Sequence, residues 1–105
     1  YDYVGNTIDR QFADGMDVQV YSTDFLRSTY SPMLKPDYLE HVTAHILENP
    51  NFVKRNLTAS PAQFGPDLRI TLDTIEDYEV ISRVYMTLID SGMSINCENV
   101  TELLK

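Results

Sequence analysis

Basic residues are scarce in this chain of 105 residues. Eight Lys and Arg stand against sixteen Asp and Glu, a formal net charge of −8, and the largest basic cluster is Lys54-Arg55. Sequence-independent binding of nucleic acid needs a basic face that displaces phosphate counterions. An anionic membrane surface asks for the same, so neither is an expected partner. Long apolar runs are missing too: no segment approaches the length of a bilayer-spanning helix or of a secretory h-region. Cysteine is reduced to Cys97. That excludes an internal disulfide, fits a reducing cytoplasm as the expected location, and offers no paired histidine for nucleophilic catalysis. Glycine occurs only at positions 5, 15, 65 and 92, which leaves no Gly-rich loop to cradle a phosphate. Two sequons, Asn56-Leu57-Thr58 and Asn99-Val100-Thr101, are short enough to arise by chance and are not read as glycosylation sites.

What is present is globular in character. The chain is 43% hydrophobic and 23% charged, a composition for one packed domain at most. No repeat, linker or low-complexity tract interrupts it. Tyr3-Val4 starts a short extended segment that turns at Gly5-Asn6. After the Asp14-Gly15 turn, Asp17 to Ser22 alternates with Val18 and Val20 on one parity, which predicts a strand with one buried face. Thr23 is placed to cap a short helix that Ser31-Pro32 stops. A longer helix is expected from Pro36, with Leu39, Val42, Ile46 and Leu47 as its apolar stripe, closed by Asn49-Pro50.

Phe52 to Thr58 reads as a strand, and Ser60 to Asp67 as a loop. Leu68 to Leu72 alternates strictly and predicts another strand. Thr74, with Asp77 three residues on, approximates a capping box for the longest helix, which ends at Ser91-Gly92. Glu98 to Lys105 is a candidate for a final short helix. Strands alternating with helices define an α/β arrangement with a mixed sheet and flanking helices. The strands are too few for a complete doubly wound sheet, so an exposed edge and an uncovered face are expected.

The strand-to-helix junction at Asp73 is where chemistry is expected. Ligands in open α/β sheets bind beyond the carboxyl ends of strands. A carboxylate there either caps the following helix or holds a divalent cation, magnesium for instance, whose other positions go to water and phosphate oxygens. His41 and His45, four residues apart on the expected helix, resemble a metal pair without a third ligand, so solvated or hydrogen-bonded histidines are the simpler reading.

Four segments in register carry a resemblance. Leu68 to Glu79 is similar to the closing motif of the cytidylyltransferase-like family of spore coat polysaccharide biosynthesis proteins, relatives of the acylneuraminate and 3-deoxy-manno-octulosonate cytidylyltransferases. Tyr3-Val4-Gly5-Asn6-Thr7 resembles that family's Tyr-Val-Ser-Asn-Thr. Gly15 to Val20 resembles its Gly-Leu-Asp-Val-Glu-Val, and Glu40-His41-Val42-Thr43 its Glu-His-Val-Thr. The sequence departs from the pattern at Ile75, where proline is usual, and at Gln19, where glutamate is common.

The resemblance spans residues 1–92 and leaves 93–105 as a C-terminal extension. It implies the C-terminal part of a nucleotide-diphospho-sugar transferase-like, Rossmann-like three-layer domain. The implied activity of the intact protein is transfer of CMP from CTP to a sugar or sugar acid for surface polysaccharide. Asp73 is then a magnesium ligand, with Asn6, Asp17, Glu40, His41 and Thr43 on the acceptor side; Arg10 and Arg69 are separate candidates for a substrate phosphate or carboxylate, with surface ion pairing as the alternative. The second metal carboxylate and the nucleotide loop belong to the N-terminal half of such enzymes. This chain alone is therefore expected to be inactive. The alternative is a non-catalytic acidic module that forms a homodimer through an exposed strand edge and tyrosines.

Overall fold

A computed structural model describes residues 1–105. Their contacts divide into two compact units, a sheet unit of Tyr1–Ile8 with Val18–Leu57 and a helix unit of Asp9–Asp17 with Thr58–Lys105. Charge divides unequally between them. The sheet unit has five acidic and four basic residues, net −1; the helix unit has eleven and four, net −7.

In the sheet unit, β1 (Tyr3–Gly5) lies between β2 (Gln19–Val20), antiparallel, and β3 (Lys54–Asn56), parallel, a mixed sheet of order β2-β1-β3. Tyr3 and Ile46 are its fully buried side chains. The strands are shorter than the alternation predicts: β2 covers two residues of the expected Asp17–Ser22, and β3 three of Phe52–Thr58. Val18 and Val20 are exposed rather than buried. Alternation selects a face but does not supply a layer to cover it.

Three short helices follow β2: α1 (Thr23–Thr29), α2 (Pro36–Glu40) and α3 (Ala44–Glu48). The cap of α1 is Ser22, not Thr23, because the Ser22 hydroxyl accepts from the Phe25 amide at 3.0 Å. The single helix expected from Pro36 to Asn49 breaks at His41–Thr43 into α2 and α3. Val42 and Thr43 are adjacent β-branched residues with poor helix propensity, and Thr43 is buried there. The carboxyl end of α3 is closed from outside the helix. The Lys54 ammonium donates to the carbonyls of Ile46, Leu47 and Asn49 at 3.3, 3.0 and 2.5 Å, placing a cation at the negative end of the dipole.

The helix unit is built around α4 (Ile75–Asp90) and α5 (Cys97–Leu104), with Ala13, Leu88, Val100 and Thr101 in its core. The capping box at the head of α4 is complete: Thr74 accepts from the Asp77 amide, and the Asp77 carboxylate accepts from the Thr74 amide. Its tail is a Schellman motif. Met93 N–H donates to the Leu88 carbonyl and Gly92 N–H to that of Ile89, with Gly92 at φ +66.

The strand predicted at Leu68–Leu72 is reduced to a single parallel bridge between Asp14 and Arg69. Asp14 N–H donates to the Leu68 carbonyl at 2.8 Å, and Ile70 N–H to that of Asp14 at 2.7 Å. An extended segment with one residue of partner cannot extend the ladder further. Gly15 makes this approach possible. It sits at φ +102, and a Cβ there would stand 2.8 Å from the Ile70 carbonyl. No helix is long and apolar enough to cross a membrane.

Candidate functional site

In the helix unit, the extended segment through Arg69 delivers Asp73 to the start of α4. The two carboxylates of the junction have separate tasks. Asp77 Oδ2 accepts from the Asp73 amide at 2.9 Å, the Thr74 amide at 3.1 Å and Arg69 Nη2 at 2.9 Å. The Arg69 guanidinium, assisted by those two amides, holds the Asp77 carboxyl at about 2. The same contact raises the Arg69 pKa.

Asp73 takes no part in capping. Its side chain is 70% exposed, and only Oδ2 is engaged, with Arg69 Nη2 at 3.1 Å. A carboxylate left in water by the helix start fits a magnesium ion, which needs one or two protein carboxylates and keeps several waters. No group of three or more His, Cys, Asp and Glu gathers to hold a metal.

Beside it in the same unit, Arg10 makes a two-pronged pair with Asp17, Nη1 to Oδ1 at 2.8 Å and Nη2 to Oδ2 at 3.2 Å, with Asp14 at 3.5 Å. Asp17 raises the Arg10 pKa. Both candidate phosphate-binding arginines are thus engaged by carboxylates. Asp17, already a candidate, holds Arg10 with Asp14 assisting, and Asp77 holds Arg69. The Thr74–Asp77 spacing signalled a cap but not a partner for Arg69.

The other candidates lie in the sheet unit. Asn6 is buried, and its Oδ1 accepts from the Val18 amide at 2.8 Å while its own N–H donates to the Val18 carbonyl. It fastens the turn end of β1. Glu40 and His41 are exposed at the end of α2, and Thr43 is buried before α3. The helix break puts His41 and His45 on different elements, which removes the i,i+4 geometry of a metal pair. His45 instead joins a groove of about 360 Å³ lined by Leu26, Tyr30, Leu34, Tyr38, Leu39 and Val42, with Arg27. Both His45 ring nitrogens are shielded from solvent without a hydrogen bond. The groove is walled on one side by Tyr38, whose hydroxyl donates to the Glu48 carboxylate. The sequence marked Leu39 and Val42 as a core stripe; the structure leaves them facing outward.

No family model matches the chain. It is 40% identical over 53 residues to the spore coat polysaccharide biosynthesis protein SpsF of Bacillus subtilis, half of this chain and 22% of that protein. It is 30% identical over 81 residues to an uncharacterized protein of Methanocaldococcus jannaschii, 76% of this chain and 32% of the other. The fold superimposes on the structure of a cytidylyltransferase from Leptospira borgpetersenii with a TM-score of 0.67 and 26% identity, over 86% of this chain and 42% of that one.

In sequence and in fold the chain resembles part of a cytidylyltransferase.

It spans less than half the length of each of these relatives. The three-stranded mixed sheet with helices around it is the α/β architecture that such a family implies. The capping box and the exposed Asp73 carboxylate lie together where the extended segment through Arg69 passes into α4.

Proposed function

We propose that this chain forms part of a nucleotidyltransferase of polysaccharide biosynthesis, and that the intact protein transfers CMP from CTP to a sugar or sugar acid. In that reaction an acceptor oxygen bonds to the α-phosphorus of CTP. The bond to the β-phosphate oxygen breaks, pyrophosphate leaves, and the acceptor proton goes to solvent or a base. Asp73 serves as one magnesium ligand. The bound ion would neutralise triphosphate charge and align the phosphates. Arg69 steers the Asp73 carboxylate, while Asp77 keeps Arg69 in place. Arg10, Asp17, Asn6, Glu40, His41 and Thr43 belong on the substrate side in this reading.

The observation that carries the proposal is the division of labour at the junction. Asp77 accepts the Asp73 and Thr74 amides at the helix start, so the Asp73 carboxylate is not spent on capping and remains 70% exposed.

The test replaces Asp73 by Asn in the full-length protein that carries this sequence. The expected outcome is a loss of magnesium-dependent pyrophosphate release from CTP of at least about a hundredfold, with thermal unfolding unchanged. Activity within about twofold of the parent would remove Asp73 from the metal site. Assayed alone with CTP, magnesium and sugar acids, the 105-residue chain is expected to release no pyrophosphate. Turnover would show that it holds a whole site.

A further inference from the structure

Arg10 and Arg69, both in the helix unit, are held in different ways. Arg10 spends both terminal nitrogens on Asp17, at 2.8 and 3.2 Å, and one of them also reaches Asp14 at 3.5 Å. Arg69 spends a single nitrogen: Nη2 donates to Asp77 Oδ2 at 2.9 Å and to Asp73 Oδ2 at 3.1 Å. The donors on its Nε and Nη1 meet no acceptor within the chain, and the side chain is 52% exposed.

The two carboxylates grip Arg69 unequally. Asp77 is 17% exposed and also accepts the Asp73 and Thr74 amides, so the helix start fixes it. Asp73 is 70% exposed, and Arg69 is its side chain's one partner. A cation that takes Asp73 Oδ2 therefore displaces one hydrogen bond and leaves Arg69 tethered to Asp77. Its positive charge then stays on the order of 5 Å from the ion.

We propose that Arg69 makes the junction selective for a divalent cation carried on a nucleoside triphosphate over the free cation. It repels the bare ion from Asp73, and donates to a phosphate oxygen when the ion arrives with the nucleotide. This inference rests on the reading of Asp73 as a magnesium ligand.

Electrostatics sets the sign. A fixed single charge at that distance lowers the affinity of a doubly charged ion about fivefold at physiological salt. The steering that Arg69 gives Asp73 acts in the opposite sense but more weakly, because it consists of one exposed contact. A triphosphate with its magnesium is still an anion, so the charge that opposes the free ion favours the complex. The guanidinium fork also matches phosphate geometry.

The surroundings give this selection a purpose. Eleven acidic residues against four basic ones make the helix unit a collector of free divalent ions. Of the four, Arg10 is engaged by Asp17, Arg83 lies along α4, and Lys105 ends α5. Arg69 is the basic residue at the junction that keeps donors to offer.

The test measures two affinities in the full-length protein that carries this sequence: free manganese by paramagnetic resonance, and magnesium–CTP by calorimetry without acceptor. Arg69→Met is expected to tighten free manganese about fivefold and to weaken magnesium–CTP at least about fivefold. Arg69→Lys keeps the charge and holds free manganese within about twofold of the parent. Arg83→Met removes the same charge on the order of 12 Å along α4, beyond a Debye length, and leaves free manganese as it was. Thermal unfolding of each variant checks that the fold persists. Free manganese unchanged or weakened in Arg69→Met overturns the proposal, and so does tightening of both species. Asp73→Asn separates the two readings. If it abolishes manganese binding at the site while Arg69→Met gives the wrong sign, the metal ligand stands and the selectivity falls. If it leaves manganese binding intact, both fall.

Discussion

The two units of this chain differ in how their helices are held. In the helix unit, α4 ends in signals that lie next to it in sequence: the Thr74–Asp77 box at its head and the Gly92 motif at its tail. In the sheet unit, α3 has no side-chain cap, and its carboxyl end is closed by Lys54 from the neighbouring strand β3. The helix capped locally at both ends runs to sixteen residues, and the one closed by the distant Lys54 to five. The charges follow the same division. The acidic unit carries the exposed Asp73, and the near-neutral unit carries the apolar groove.

The comparison breaks first, and most visibly, at the two cores. Ile46 and Leu88 are fully buried, one in each unit, and truncation of either to Ala is expected to cost about 3 kcal/mol in urea denaturation. A clearly smaller loss at Ile46 would mean that the sheet unit packs loosely around it. The next effect concerns helix closure. Lys54→Met removes three charge-assisted bonds and is expected to cost about 1.5 kcal/mol, against about 1 kcal/mol for Thr74→Ala at the capping box. Reversal of that order in thermal unfolding would show that local capping matters more than the distant cation.

The smallest effect is in pH. The Asp77 carboxyl is held at about 2 in the folded chain, below the ~3.9 of an unfolded aspartate. A depressed carboxyl stabilises the fold above about pH 4, and that contribution fades as pH falls towards 2. Asp77→Asn is expected to flatten the stability profile in this window. A profile that keeps its full slope would assign the acid sensitivity to other carboxylates.

Much of the candidate site was legible before any coordinates. Thr74 and Asp77 stand at capping-box spacing, Gly92 at a helix stop, and Asp73 between a strand pattern and a helix pattern. These are contacts within a few residues, so the chain encodes them directly. The partners of Arg10 and Arg69 were less accessible. The Asp14–Arg69 backbone bridge spans fifty-five positions of sequence, and the spacing of Asp77 from Thr74 signals a cap without showing that the same carboxylate also takes Arg69. The groove was misread for a related reason. Leu39 and Val42 have the spacing of a buried stripe, but the break at His41–Thr43 turns that stripe into two helices with an open face.

By itself the sequence determined the α/β pattern, the acidic character, the bounds of α4 and the motifs shared with cytidylyltransferase-like proteins. All of these depend on residue type and short-range spacing. Only the tertiary structure decided that Asp77 rather than Asp73 serves the helix start, that both arginines are engaged by carboxylates, and that strands of five to seven expected residues pair over only one to three. Each of those outcomes depends on which group arrives from elsewhere in the chain to complete a hydrogen bond or cover an apolar face, and periodicity along one segment carries no information about its neighbour.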